Sequence, residues 1–253
     1  MSIFDRDEFN DRLFFPRPDA RPPPAGASDR MVEVDGARLH VRLHAAPAAS
    51  GTLLLFHGNG EVVADYDRTA ARFARAGVAL AVMDYRGYGR STGTPALRTL
   101  ISDARRVAEV IRPRVVMGRS LGGAAAHELY ARPTEGMEGV ILESALFDLD
   151  SLIRRRGLVP PASFTPEERA TFEPATKLAL GRLPLLVLHG EGDELIAPSE
   201  ARSAHAAAGA AEADKVLVIV PRRGHNDVSS GDNYWRALAE LVARRASGPR
   251  GPS

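Results

Sequence analysis

The chain has 253 residues, with 33 lysines and arginines against 32 aspartates and glutamates, so its formal net charge of +1 argues against nucleic acid or an anionic membrane surface as the main partner. It contains no cysteine, which excludes disulfides, thiol catalysis and thiolate metal sites. A chain this long can bury a full core and nothing in its composition divides it, so one α/β domain is expected over residues 31–246, between an N-terminal arm (1–30) and a flexible tail (247–253).

The start of the chain places Asp5, Arg6, Asp7 and Glu8 where a secretory leader would need a basic start and an apolar run. No signal peptide is expected, no segment reaches the roughly 18 to 20 apolar residues of a membrane span, and a cytoplasmic location follows as the expectation. Phe14-Phe15-Pro16-Arg17-Pro18 and Pro22-Pro23-Pro24 read as an extended, proline-stiffened arm. From Met31, Val32-Glu33-Val34 and Leu39 to Leu43 alternate around Asp35-Gly36, a hairpin signal because Gly accepts the positive φ that such turns require. His40 and His44 fall on the polar side of that alternation and are expected to be exposed.

Leu53-Leu54-Leu55-Phe56 is a short continuous apolar run, as for a strand covered on both faces, and it ends in His57-Gly58-Asn59-Gly60. A helix is predicted from about Glu61 to Ala76, a strand over Val78 to Met83, and a turn-rich stretch from Asp84 to Ser91. Leu97, Leu100, Ile101, Ala104, Val107, Ala108 and Ile111 recur at three- and four-residue spacings, and Pro113 closes that helix. Later strands are predicted at Val140 to Leu142, Leu185 to Leu188 and Val216 to Val220. Strands alternating with amphipathic helices imply a mostly parallel sheet with helices on both faces. Arg105-Arg106 and Arg154-Arg155-Arg156 read as solvated faces, and His127 and His205, in helical stretches, as surface residues.

The stretch Val115 to Gly123 is the centre of the pattern. A β-branched run ends in G-x-S-x-G, and an Ala-rich helical stretch follows at once. A serine at such a strand-to-helix turn sits in a strained conformation, so Gly118 and Gly122 would let strand and helix approach, and the Ser120 hydroxyl would project at the top of the sheet. A hydroxyl is a poor nucleophile at neutral pH and needs a base within hydrogen-bond reach; His225 is the one histidine in a Gly-flanked loop after a C-terminal strand. The base in turn needs a carboxylate to fix its tautomer.

Gly118-Arg119-Ser120-Leu121-Gly122-Gly123, His57-Gly58-Asn59-Gly60, Arg86 to Ser91, His189 to Pro198 and Gly224-His225-Asn226 occur in an order that resembles the α/β-hydrolase superfamily, in particular small-cap serine esterases of the Bem46 kind. The resemblance spans about Val32 to Val242. It implies an α/β-hydrolase fold with a short helical cap at about 145–183, Ser120 as nucleophile, His225 as base and Asp193 as acid. It also implies an oxyanion hole built from the backbone N–H groups of Leu121 and Asn59. Gly58 or Gly60 could supply the second donor instead, and Glu143, Asp148 and Asp150 compete with Asp193 for the acid. Arg119 is expected as an exposed arginine, with contact to an anionic substrate group as the less favoured reading.

No cofactor is implied. A metal reading of His57, His189 and Asp193 lacks H-x-x-x-H or H-E-x-x-H spacing, so no metal is expected. Of the cap residues Leu146, Phe147, Leu152, Ile153, Leu158, Val159, Phe164 and Phe172, some are expected to pack the cap onto the sheet and the rest to form an apolar wall to an open pocket. The expected partner is a small-molecule carboxylic ester of short to medium acyl chain, with thioesters or amides open to the same machinery. A catalytically silent binding protein on the same fold is the alternative.

Overall fold

In the computed structural model, which describes residues 2–160 and 163–246, eight strands form one sheet in the order β1-β2-β4-β3-β5-β6-β7-β8. In chain order these are β1 (Ala27–Val34), β2 (Ala37–His44), β3 (Thr52–Phe56), β4 (Ala79–Met83), β5 (Val115–Arg119), β6 (Gly139–Glu143), β7 (Leu185–Gly190) and β8 (Lys215–Val220). β1 and β2 form the hairpin around Asp35-Gly36, with Val34 opposite Ala37 and Gly36 at φ +69°. β2 pairs antiparallel with β4 and every later pairing is parallel. The mostly parallel sheet expected from the alternation of strands and helices is therefore present.

Successive strand residues face opposite sides, and both sides are covered. Leu54, Phe56, Val116, Val140 and Leu142 pack on one face against α3 (Leu97–Ile111) and α4 (Gly123–Ala131). Leu53, Leu55, Val115, Met117 and Ile141 pack on the other, with α2 (Ala70–Arg75) and α9 (Asp232–Ala246). The helix predicted from Glu61 to Ala76 is shorter: a 3-10 turn spans Val63–Tyr66 and α2 begins at Ala70. Val63 N–H donates to Asp84 Oδ1 (2.9 Å), Val62 N–H to Asp65 Oδ2, and the Thr69 hydroxyl to Tyr66 O. These side chains satisfy backbone groups in the turn's own geometry, so a continuous helix gains nothing there.

The N-terminal segment is helical rather than extended before Phe14, while the proline-rich stretch 14–24 carries no helix. A 3-10 turn at Ile3–Asp5 leads into α1 (Asp7–Leu13), and Phe4, Phe9, Leu13 and Phe14 are buried in the main core. Phe4 lies 5.4 Å from Phe9 and 4.3 Å from Phe172, centroid to centroid. Asn10 Nδ2 donates to Phe4 O and Arg6 O, and its Oδ1 accepts Leu97 N–H, which caps α3. Apolar burial outweighs the acidic, polar look of the first ten residues. β1 also starts earlier than expected, at Ala27. The tail, 247–253, lies outside the described residues.

His40 and His44 are likewise buried rather than exposed, because β2 lies inside the sheet between β1 and β4. His40 Nδ1 is 2.8 Å from Asp84 Oδ2, and His44 Nε2 is 3.4 Å from Asp67 Oδ1, with burial pushing the His44 pKa down. Burial alone would raise the pKa of Asp84; the hydrogen bond from His40, the approach of His57 Nε2 at 3.4 Å and the Val63 N–H outweigh it and hold it at about 2, against 3.8 for a free aspartate. A depressed carboxylate contributes stability above its unfolded pKa and loses it as pH falls through the folded one. Asp84→Asn is therefore expected to cost about 2 kcal/mol at pH 7, and the gap from wild type should close as pH falls from about 4 to about 2. Urea midpoints at pH 7 and pH 3 check this, and an equal gap at both would contradict it.

Between β6 and β7 lie α5 (Leu149–Arg155), α6 (Pro166–Phe172) and α7 (Pro174–Leu180), at the position expected for a cap. α8 (Pro198–Ala207) follows β7. Among the described residues no helix is long and apolar enough to cross a membrane.

Candidate active site

β5 ends at Arg119 and α4 begins four residues on, so the chain reverses over Ser120. Ser120 adopts φ +50°, a conformation that costs a non-glycine residue on the order of 1–3 kcal/mol and persists only where its surroundings impose it. Those surroundings are two close approaches. A Cβ on Gly118 would lie 2.5 Å from Gly122 O and 2.6 Å from Ala126 Cβ, and one on Gly122 would lie 2.0 Å from Phe56 O. Only glycine lets α4 sit this close to β3 and β5.

The strained turn presents Ser120 Oγ to a histidine. His225 Nε2 is 3.0 Å from Ser120 Oγ, and His225 Nδ1 is 2.8 Å from Asp193 Oδ2. Asp193 is itself anchored: its Oδ1 accepts the N–H groups of Leu195 (2.9 Å) and Ile196 (2.8 Å), and its side chain is fully buried. Burial would raise its pKa. The hydrogen bonds from His225 and Ile196 N–H, with the charges of His225 and His189, more than offset this and hold the carboxyl below the usual range. Of the carboxylates weighed for this position, only Asp193 meets the imidazole. Glu143 turns to Tyr234 and Arg119, Asp148 caps α5 through Ser151 N–H, and Asp150 is exposed.

Asn59 and Leu121 line the same cleft as Ser120 and His225. Leu121 sits in the first turn after the strand, where N–H groups have no intrahelical partner. The Asn59 side chain is held from three sides: its Oδ1 accepts Phe15 N–H (2.9 Å) and Tyr88 O–H (2.7 Å), and its Nδ2 donates to Leu13 O. No acceptor meets the Asn59 backbone N–H among the described residues. The N-terminal segment is thus part of the support of this turn.

Arg119, expected to be exposed, is mostly buried. It pairs with Glu61 and with Glu143 (3.2 Å), and its Nη2 donates to Asn226 Oδ1 (3.0 Å) and His225 O (3.4 Å). The residue beside Ser120 therefore braces the loop that carries His225. A signal was present in the sequence: Arg119 and Glu143 each close a parallel strand, and the register sets them side by side.

The cleft, about 630 Å³, is walled by Phe15, Leu146, Arg155, Arg156, Leu195 and Asn226. This bears on two expectations. Of the eight apolar cap residues only Leu146 lines it; Phe147, Leu152, Ile153 and Phe172 are buried, Leu158 and Phe164 pack partly against the core, and Val159 is 85% exposed. Arg155 and Arg156 are not simply a solvated face, for both border the cleft. His127 is also misplaced by sequence reasoning, because α4 is covered all round; desolvation, with Lys177 nearby, pushes its pKa down to about 3. His57 Nδ1 meets Gly58 O and His189 Nε2 meets Ile196 O, each in its own turn. No cluster of three or more His, Cys, Asp or Glu side chains that could hold a metal ion occurs among the described residues.

A sequence model of the family described as serine aminopeptidase, S33, matches residues 47–164. Protein bem46 of Schizosaccharomyces pombe is 29% identical over 210 residues, covering 78% of this chain and 69% of that protein. These likenesses support an α/β-hydrolase superfamily member. Protein YfhR of Escherichia coli is 26% identical over 250 residues, covering 90% of this chain and 86% of that protein. Among solved structures, the esterase Pf2001 of Pyrococcus furiosus superposes with a TM-score of 0.68 at 16% identity, covering 86% of this chain and 92% of that one. The esterase domain of a Rhodothermus marinus protein gives 0.65 at 20% identity, with 87% and 98% covered. At those identities the likeness establishes the α/β-hydrolase fold.

Proposed function

We propose that this protein is a serine hydrolase that cleaves carboxylic esters through an acyl-enzyme on Ser120. The observation that supports this best is the strained Ser120 with its Oγ 3.0 Å from His225 Nε2, backed by Asp193 on the other ring nitrogen. In the proposed reaction His225 Nε2 takes the hydroxyl proton as Ser120 Oγ attacks the ester carbonyl. Asp193 keeps the remaining ring proton on Nδ1 and stabilises the imidazolium. The N–H groups of Leu121 and Asn59 meet the oxyanion, and His225 then returns its proton to the departing alcohol. Water, activated by the same imidazole, releases the acid and restores Ser120. Thioesters and amides could follow the same route. Solved structures of similar fold include esterases, which favours the ester reading.

A fluorophosphonate probe should label the folded protein once, at Ser120, and Ser120→Ala should abolish labelling without lowering the melting temperature. Intact-mass and peptide mapping check both points. An unlabelled, well-folded protein would favour a silent binding role over hydrolysis.

A further inference from the structure

Among the described residues, every arginine bordering the cleft except one has an acid partner. Arg119 is paired with Glu61 and Glu143, and Arg155 with Glu200 on α8. Arg156 is half-buried and forms no ion pair among the described residues. Its Nε is buried without a hydrogen-bond partner, and its guanidinium lies over the ring of Phe15, 5.4 Å from the centroid. Burial lowers its pKa, Tyr88 opposes this in part and the charge of Arg155 adds a smaller lowering, so the site already disfavours the cation it holds. The remaining uncompensated charge at the cleft, Glu194, is exposed and forms no ion pair with it among the described residues.

A neutral acyl chain filling this space would strip the rest of the water from Arg156 and return nothing, which is costly for an ion. A carboxylate would return two parallel charge-assisted hydrogen bonds to the planar fork. The position indicates which part of the substrate carries it. Phe15 N–H is bonded to Asn59 Oδ1, so Arg156 stands over the Asn59 side of the cleft. The leaving alcohol must depart beside His225 Nε2, from which it takes its proton. We propose that Arg156 binds a carboxylate on the acyl part of the substrate, which makes half-esters of dicarboxylic acids the preferred class. The assignment of acyl and alcohol sides rests on the hydrolase reading above; the pairing of Arg156 with an anion does not. The exposed Phe15 ring, 53% accessible, and Leu146 then serve as the apolar floor for the methylenes between the two acid groups.

The test compares monomethyl adipate with methyl hexanoate, which differ in the distal carboxylate. For the wild type, kcat/KM should favour the adipate by about tenfold or more, the size of one charge-assisted hydrogen-bonded contact. Arg156→Gln should bring that ratio to within about twofold of unity, Arg156→Lys should keep part of it, and Arg154→Gln, at an exposed neighbour, should leave it in place. A wild-type ratio near one, or one unchanged in Arg156→Gln, overturns the proposal. Calorimetric binding of the same two esters to Ser120→Ala, alone and with Arg156→Gln, repeats the comparison without turnover. Carboxylate-dependent binding that vanishes with Arg156 supports the proposal even if no ester is cleaved, whereas cleavage of both esters with no preference and no binding difference sinks it while leaving the hydrolase reading intact.

Discussion

Asp193→Asn is expected to lower kcat by roughly three to four orders of magnitude while leaving the fold and ester binding largely intact. The reason lies in what each oxygen of Asp193 now does. Oδ1 accepts two backbone N–H groups, from Leu195 and Ile196, and Oδ2 accepts from His225 Nδ1. An asparagine will keep its oxygen on the two backbone donors, because turning its NH2 onto them would leave three donors face to face. Its NH2 must then face His225. The imidazole can accept that hydrogen bond only by moving its proton to Nε2, and an Nε2–H cannot take the proton of Ser120. The variant should therefore show near-wild-type KM and a small change in melting temperature, with the loss almost wholly in kcat. Glu143→Gln should cost far less in kcat, since Glu143 touches Arg119 and Tyr234 and not the imidazole. If the glutamine variant were the inactive one and Asp193→Asn mild, the acid would have been assigned to the wrong residue.

The parts legible in the sequence are those written by local backbone demands. The order of the strands, the hairpin at Asp35-Gly36 and the strained turn at Ser120 follow from residue periodicity and from glycines at fixed offsets, and they appear where expected. The resemblance also pointed to the three side chains that meet at the cleft, because each lies in a short turn directly after a strand. Less legible was anything decided between distant segments. His40, His44 and His127 alternate or repeat like surface residues, yet β2 is an interior strand and α4 an interior helix, facts set by the pairing of β2 with β4 and by what packs over α4. The N-terminal residues read as polar, and only the meeting of Phe4 with Phe172 shows why they fold inward. The same holds for the arginines. Charge counts cannot tell Arg154, which is exposed, from Arg156, which borders the cleft two residues later, because α5 ends between them.

Arg119 is the other position where a large effect is expected, and here the effect is on stability as well as activity. Arg119→Met would keep the aliphatic bulk next to Ser120 but leave Glu143 buried with, among the described residues, only the Tyr234 hydroxyl, at 2.5 Å, as a partner. Burial already holds the Glu143 pKa above its usual value even with the guanidinium beside it, so without Arg119 the ionised carboxylate is uncompensated. Breaking a buried pair from one side costs about 3–5 kcal/mol, and that is the loss expected at pH 7 from urea unfolding. The pH dependence has a definite sign. Glu143 in the variant can escape the penalty by taking up a proton, so the gap from wild type should narrow as pH falls from neutrality and the group protonates. Adding Glu143→Gln to Arg119→Met should recover much of the stability at pH 7, since a neutral amide can remain bonded to Tyr234. Activity should not recover with it: Arg119 also holds Asn226 and the carbonyl of His225, and neither contact is restored by neutralising Glu143. A double variant that regains full kcat along with stability would show that the guanidinium serves only to offset the buried glutamate, whereas a stable but slow one would separate its bracing of the His225 loop from its part in holding the fold.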